Sequence, residues 1–252
     1  MDRRVKILFS SAVFFFSFLA GNAQQVRDSI PATGFLFQLS YAAQLPAGDL
    51  AKRFGFNSNV GGGVAYKTKS NWQFGAEFYY LFGNIIHETG IFDTIATSTG
   101  NLIANDGNYP GISFFERGFD IQLSAGKLFP VSKNLNSGIL VKFSAGYIQH
   151  HINIEIPSDW TPQVANDYLQ GYDRLTAGVC ITEFVGYQYI SKKLYLCFFG
   201  GFEFTQGFTK SLRYDFDLKS QNTTMRYDLL NSIRVGWMLP LLQEHKLKFY
   251  TY

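Results

Sequence analysis

Residues 72–83 have the sequence WQFGAEFYYLFG, and the spacing of their apolar side chains decides the predicted fold. In a β-strand, successive side chains point to opposite faces of the sheet. One face of this stretch would therefore carry Trp72, Phe74, Ala76, Phe78, Tyr80 and Phe82. The opposite face would carry Gln73, Gly75, Glu77, Tyr79, Leu81 and Gly83. One aromatic, apolar face and one face of small or polar side chains are typical of a transmembrane β-strand.

Seven further segments show a similar alternation and are separated by turn residues. They are 34–44, 57–67, 116–129, 137–156, 174–190, 194–210 and 228–239. Glycine, β-branched and aromatic residues dominate them, and such residues disfavour helix interiors. The sequence therefore predicts an all-β protein with about eight strands. One segment is ambiguous, because Glu183 shares a face with Val179 and Ile181, which indicates either a face of mixed polarity or a bulge that resets the register.

The composition indicates that the outside of this sheet meets lipid. Aromatic residues make up 17% of the 252-residue chain and charged residues only 16%, below the roughly 25% of typical soluble domains. A soluble protein of this size normally surrounds its core with more lysine and glutamate. The low charge therefore favours a transmembrane, antiparallel, up-and-down β-barrel over a soluble sheet.

The connections between the segments alternate in length, which predicts the topology. Residues 69–71, 131–136 and 191–193 are short, whereas 46–56, 84–115, 157–173 and 211–227 are long and polar. Outer-membrane barrels have short periplasmic turns and longer external loops. We therefore expect Thr97 to lie outside the cell, and Asn71 and Ser191 to face the periplasm. For the longest loop, 84–115, both a contact surface and a poorly ordered surface loop fit the sequence.

The N-terminal 23 residues have the pattern of a cleavable secretory signal. Arg3, Arg4 and Lys6 precede the apolar stretch 7–20, and the small residues at 21 and 23 fit a signal peptidase site. The predicted organisation is a signal peptide over 1–23 and an outer-membrane β-barrel domain over 24–252, in a Gram-negative envelope. The mature chain would begin at Gln24. No cysteine stands at the cleavage point, so a lipoprotein anchor is not expected.

By strand pattern and loop asymmetry, nearly the whole mature chain resembles the small eight-stranded outer-membrane barrels of OmpA/OmpX type. Three local strings, LPAGDL at 45–50, GFEFT at 201–205 and GWMLP at 236–240, are similar to those of uncharacterised secreted barrel proteins. The resemblance implies a barrel in the outer membrane but transfers no catalytic residue. The chain departs from the family pattern at Pro240, since a further stretch, 241–252, follows it as either a periplasmic extension or a continued strand.

Five charged residues fall on the predicted inward faces. They are Glu77, Asp120, Lys142, Glu203 and Arg234. The interior of an eight-stranded barrel is just wide enough for side chains to fill it, and buried charges must pair or become neutral. We therefore predict a structural ion-pair network in the lumen, in which Arg234 compensates Glu203 and Glu77. The alternatives are a narrow conduction path through rearranging pairs and a catalytic carboxylate pair.

The histidines are candidate catalytic bases, because outer-membrane lipid-modifying barrels use histidine with serine or aspartate near the outer leaflet. His150 and His151 lie near the outer end of their segment, with Ser158 and Asp159 following. Adjacent strand residues face opposite sides, so the two histidines cannot serve one site. No motif of those enzymes is matched, and the other histidines lie in the second loop (87) and the tail (245). The sequence predicts no catalytic residue.

The remaining features narrow the class of partner. Loss of the signal removes three positive charges and one negative charge from the formal +3, leaving +1 in the mature chain, without a basic run that would bind nucleic acid. Cys180 and Cys197 lack metal-site spacing and are expected to be packed free thiols. We expect no cofactor and no metal.

The sequence favours a non-enzymatic structural or interaction protein whose partners are outer-membrane lipids and envelope proteins. The alternatives are an outer-leaflet acyl hydrolase or transferase, and a narrow pore or small-ligand carrier.

Overall fold

A computed structural model describes residues 31–156, 164, 166–191, 197–216 and 219–243. These residues form eight strands: β1 (Thr33–Gly48), β2 (Asn57–Lys67), β3 (Trp72–Gly83), β4 (Ser113–Pro130), β5 (Gly138–Glu155), β6 (Thr176–Ile190), β7 (Cys197–Ser211) and β8 (Arg226–Gln243). Short 3₁₀ turns at Leu50–Lys52 and Asn166–Gly171 lie in the connections. Within the described ranges, no helix has the length and hydropathy needed to cross a bilayer. The predicted signal peptide lies outside them.

Each strand pairs antiparallel with its neighbours in sequence, and β8 pairs with β1, which closes the sheet into a barrel. The predicted all-β, up-and-down barrel of about eight strands is therefore confirmed. We call the end from which residues 49–56, 84–112, 156–175 and 212–225 emerge the long-loop end. The opposite end, with connections 68–71, 131–137 and 191–196, is the short-turn end. The alternation of short and long connections agrees with the sequence prediction.

Strand β8 continues through Pro240 instead of ending before it. Pro240 lies opposite Leu36 in the pairing with β1, and the strand extends to Gln243. Proline has no N–H and is tolerated only where one side of a strand needs no ladder bond. Within the described residues, β7 pairs with β8 as far as Trp237, and Pro240 lies beyond that pairing. The start of the tail is thus a continued strand, and 244–252 lie outside the described residues.

Strand β6 resolves the ambiguity at Glu183. Its pairing with β5 and β7 is continuous, and Glu183 lies opposite Phe143 and Phe204. Its neighbours Thr182 and Phe184 are buried in the interior, so Glu183 points outward. The outer face of β6 therefore has mixed polarity, and no bulge resets the register.

The two faces of the barrel differ as the alternation predicts. Outward-facing aromatic and aliphatic side chains are exposed on every strand, among them Phe37, Phe74, Leu123, Phe143, Val179, Phe202 and Trp237. Inward-facing side chains fill the interior. Gly61 and Gly63 of β2 make room there, because a Cβ atom at these positions would lie 2.7 Å from the Tyr79 ring and 2.9 Å from the Glu77 side chain. Cys180 and Cys197 are buried free thiols.

Candidate binding site at the long-loop end

The five charged residues predicted for the lumen all lie in the interior. Glu77, Asp120, Lys142, Glu203 and Arg234 are each less than a tenth exposed. Lys142 Nζ donates to both carboxylate oxygens of Glu77, at 2.6 and 2.8 Å. Arg234 binds Glu203 through two parallel bonds, Nε to Oε2 at 2.6 Å and Nη2 to Oε1 at 2.7 Å. Asp120 accepts a bond from Gln122 Nε2 at 2.8 Å.

The pairing differs from the expectation in one respect, which is the partner of Glu77. Lys142, not Arg234, neutralises this carboxylate. The two ion pairs are joined through Tyr79, whose hydroxyl donates to Glu77 at 3.0 Å and whose ring lies 3.8 Å from the Arg234 guanidinium carbon. Ser40 Oγ accepts a further bond from Arg234 at 3.0 Å. The two ion pairs therefore form a connected layer across the barrel, whereas Asp120, also predicted for the network, is bonded to Gln122 and belongs to neither pair.

Apolar side chains lie on both sides of this charged layer. At the short-turn end they come from the strands: Leu36, Leu128, Leu140, Phe184, Ile190, Cys197, Phe199 and Met238. At the long-loop end they include Ile91, Phe92 and Leu102 from the long loop. The loop 84–112 thus packs part of its apolar content onto the mouth of the barrel. Its exposed residues include Ile103 and Tyr109.

The histidines do not form an accessible acid–base pair. His150 Nε2 lies 3.0 Å from Asp228 Oδ2, and the His150 side chain is fully buried. Thr209 Oγ1 donates to the same carboxylate oxygen at 2.5 Å, so its proton is directed at the acid and not at the histidine. His87 contacts the main-chain oxygen of Ala51. Ser158, Asp159 and the tail histidine at 245 lie outside the described residues.

A pocket of about 270 Å³ opens at the long-loop end, and we call it the loop pocket. All four long connections contribute to its walls, and the strand ends complete them. The lining residues are Lys52, Arg53, Glu88, Arg174, Ser211, Asp215, Asn222 and Arg226. Four of these side chains are cationic and two are carboxylates.

Glu88 holds two of the arginines together. Arg53 Nε donates to Glu88 Oε2 at 2.6 Å, and Arg174 Nε donates to Glu88 Oε1 at 3.0 Å. Arg53 Nη1 also donates to the main-chain oxygen of Arg174 at 3.0 Å and to Thr176 Oγ1 at 2.9 Å. Arg174 has a second carboxylate partner in Asp215. The network therefore joins all four long connections, because Arg53, Glu88, Arg174 and Asp215 each come from a different one.

The other two cations are less strongly bound. Lys52 pairs with Asp49 at 2.7 Å, and its side chain is 77% exposed. Arg226 Nη2 donates to the main-chain oxygen of Asp49 at 2.9 Å. The approach of Arg226 Nε to Asp228 is 3.7 Å, longer than a direct hydrogen bond.

The backbone also bears on the position of Arg174. Its φ of +53° lies in the left-handed region, which side chains other than glycine, asparagine and aspartate rarely adopt. Such conformations persist only where the surrounding structure holds them, and they concentrate at functional sites. The contacts of Arg174 with Glu88 and Asp215 supply that support.

The cations and Glu88 change one another's acidity. Burial lowers the pKa of Arg53, and the charge of Arg226 lowers it further, against the opposing effect of Glu88. Burial alone would raise the pKa of Glu88, but the charges of Arg53 and Arg174 and their hydrogen bonds bring it below its ordinary value. Glu88 is therefore the carboxylate on which the loop contacts depend.

We expect the contact between the first two long loops to weaken in acid. A carboxyl whose folded-state pKa is lowered stabilises the fold above the unfolded-state pKa, and this stabilisation is lost as the pH falls through the folded-state value. The amides of Gly55 and His87, which bridge the two loops, report on it by hydrogen exchange. They should be better protected in the parent than in Glu88→Gln near neutral pH, and equally protected once Glu88 is protonated. A difference that persists below the folded-state pKa would contradict the role given to Glu88.

The sequence pattern does not single out the lining residues of the loop pocket. They come from segments without periodicity, so the alternation that located the strands carries no information about them. One signal was present in the sequence: arginine or lysine stands at or beside the ends of several long connections, as at Arg53, Arg174 and Arg226.

Comparison with known proteins gives similarities to solved structures. No protein-family model matches the chain, and no curated protein sequence is similar to it. Neisserial surface protein A (NspA) is 11% identical with a TM-score of 0.46, and the match covers 82% of this chain and 97% of that one. The attachment invasion locus protein Ail of Yersinia pestis is 7% identical with a TM-score of 0.43, covering 83% and 99%. The N-terminal β-barrel domain of Pseudomonas aeruginosa OprF is 11% identical with a TM-score of 0.37, covering 82% and 98%. The expected resemblance to eight-stranded barrels is confirmed at the level of architecture, which the strand pairing establishes directly.

Proposed function

We propose that this chain is a non-enzymatic outer-membrane barrel that acts as an interaction protein, with its long loops outside the cell. The observation that carries the proposal is the convergence of all four long connections on one pocket. A rigid barrel that positions variable loops is a common way to build a recognition surface. The short-turn end offers only brief connections.

The filled lumen supports interaction over transport. Two apolar layers lie above and below a layer of ion pairs, and the described side chains in all three are buried. A conduction path would have to separate Lys142 from Glu77 or Arg234 from Glu203, and each separation would strand a charge in the interior. We infer that the ion-pair layer is structural.

The acyl hydrolase or transferase alternative receives less support. A histidine that serves as general base must come within hydrogen-bond reach of its substrate. His150 is fully buried, and its contact is with Asp228, whose same oxygen also accepts the Thr209 proton.

The outer surface supports placement in the outer membrane, with its lipids as the immediate partners. Exposed aromatic and aliphatic side chains surround the barrel on all eight described strands. A soluble protein rarely exposes so continuous an apolar surface.

We expect the mature protein to begin at Gln24 and to fractionate with the outer membrane. The signal pattern over 1–23 and the apolar outer surface are the physical basis. N-terminal sequencing of the purified protein and separation of inner from outer membranes on a density gradient check both parts. Retention of Met1, or a soluble periplasmic pool that holds most of the protein, would refute the placement.

A further inference from the structure

We infer that the loop pocket binds a phosphate-bearing ligand, through the guanidinium groups of Arg53, Arg174 and Arg226 and the ammonium group of Lys52. The inference deepens the proposed function, on which it rests for the side of the membrane that the pocket faces. It names the chemical class that the long-loop end recognises.

The lining of the loop pocket has more cationic than acidic side chains. Four cations and two carboxylates line the pocket, which leaves a formal excess of two positive charges on the lining. Two further carboxylates stand next to it, and both are already engaged. Asp49 pairs with Lys52, and Asp228 accepts bonds from His150 and Thr209. Asp49 thus offsets the charge of Lys52, and Asp228 lies 3.7 Å from Arg226, so the walls offer an oxyanion a group of cationic donors and not an uncompensated charge.

The arginine side chains are held in place before any ligand binds. Planar guanidinium forks match the oxygens of phosphate, and charge-assisted bonds of this kind are the strong ones. The side chains of Arg53 and Arg174 are about nine-tenths buried and are fixed by Glu88. Their conformational entropy is therefore lost on folding and not on binding, which favours affinity.

The three arginines line one pocket, and their hydrogen bonding differs. Glu88 occupies the Nε groups of Arg53 and Arg174. Arg226 donates through Nη2 to the main-chain oxygen of Asp49, and its Nε approaches the Asp228 carboxylate only to 3.7 Å. An anion at the pocket would therefore gain most from Arg226, the guanidinium group with the weakest carboxylate contact.

The size of the loop pocket also bears on its ligand. A volume of about 270 Å³ equals that of about nine waters at ~30 Å³ each. This space holds a phosphate group with an attached sugar or glycerol unit. The same chemistry occurs in two sources, the phosphorylated headgroup of a membrane lipid and a soluble phosphate ester.

The test measures binding of inorganic phosphate to the refolded full chain in an uncharged detergent, by calorimetry at constant ionic strength, with acetate as the reference anion. We expect phosphate to bind and acetate to bind more weakly. Arg226→Gln should weaken phosphate binding by about tenfold or more, the loss expected for a hydrogen bond to a charged group. The matched control is Arg117→Gln, because Arg117 lies on the outer face near the same end and contacts Phe115. It should change the affinity by less than about twofold.

Two outcomes would overturn the inference: an absence of phosphate binding, or equal losses in Arg226→Gln and Arg117→Gln. If Arg226→Gln does not fold, Lys52→Gln decides instead, since this side chain is exposed and its charge lies on the pocket wall. Its outer-face control is Lys210→Gln. A loss of affinity in Lys52→Gln but not in Lys210→Gln supports the site, and equal behaviour of the two refutes it.

A second arm distinguishes the sources. The protein is reconstituted into vesicles of phosphatidylcholine, with either lipid A or its dephosphorylated form. A lower apparent affinity for added phosphate in the lipid A vesicles alone assigns the pocket to the lipid headgroup, and an unchanged affinity assigns it to soluble phosphates. Binding in detergent is independent of which way the loops face. Its loss would overturn this inference alone, whereas a misplaced barrel would overturn the proposed function alone.

Discussion

Arg234→Ala is expected to lower the free energy of unfolding of the barrel by about 3–5 kcal/mol, the usual cost of stranding a buried charge. Arg234 is 1% exposed and makes two charge-assisted bonds to Glu203, which is itself buried. Its removal also takes the cation from the face of the Tyr79 ring. Because Glu203 is only 2% exposed, bulk water does not solvate its carboxylate in place of the guanidinium.

A second variant separates the charge effect from lost packing. Removing both charges together, as Arg234→Met with Glu203→Gln, should recover much of the stability, because well-packed neutral side chains often replace a buried ion pair at little cost. Urea unfolding in detergent, followed by tryptophan fluorescence, measures both variants. Arg117→Ala is the control on the outer face and should cost no more than about 1 kcal/mol. If Arg234→Ala unfolds at the same urea concentration as the parent, the ion-pair layer does not stabilise the barrel.

A cysteine at Ser98 should react with a bulky maleimide in intact cells, whereas one at Ser70 should react only after the outer membrane is opened. Ser98 adjoins Thr97 in the longest loop, and both Ser98 and Ser70 are exposed. Ser70 replaces its neighbour Asn71, because Asn71 is buried, has a φ of +63° and donates to the Leu135 main-chain oxygen. The difference should be close to all-or-none, since the bilayer separates the two ends.

The parent protein serves as the control for this labelling, because its own cysteines, Cys180 and Cys197, are buried. A polymer-linked maleimide is required so that the reagent does not pass through other pores of the envelope. Ser191 supplies a second short-turn position. Reaction at Ser70 but not at Ser98 in intact cells would invert the barrel and place the loop pocket in the periplasm.

The strands could be predicted because a barrel imposes one rule on every residue. Each side chain faces either the interior or the outside, so polarity repeats with a period of two. Strands β2 and β3 therefore begin and end as the alternation predicts, at Asn57–Lys67 and Trp72–Gly83. The same rule placed Lys142 and Arg234 in the interior, because their neighbours in sequence are apolar and face outward.

The rule is less informative where both faces carry the same kind of residue. Around Glu183 the interior holds Phe184 and Cys180, which are as apolar as the outer residues, so polarity alone could not fix the phase. At Pro240 the sequence indicated an end, but the strand continues in its pairing with β1 as far as Gln243. Both cases depend on the neighbouring strand, which the local sequence does not contain.

The loop pocket could not be predicted, because its geometry depends on contacts between distant loops. Arg53 and Glu88 are brought together by the main-chain bonds between Gly55 and Ile85 and between His87 and Arg53. Asp215 reaches Arg174 from the connection between β7 and β8. No periodicity encodes such meetings, and charge at the ends of the strands is the only local trace.

The outward position of Glu183 makes the barrel unequal around its circumference. Among the polar side chains on the outer surface, Gln149, Glu183, Gln206 and Asn231 belong to β5 to β8, whereas Arg117 and Lys127 of β4 lie toward the two ends of that strand. The matching faces of β1 and β3 carry aromatic and aliphatic residues over most of their length. The polarity of the outer surface therefore varies around the barrel axis. In the membrane placement proposed above, the barrel would therefore offer neighbouring molecules two outer surfaces of different polarity.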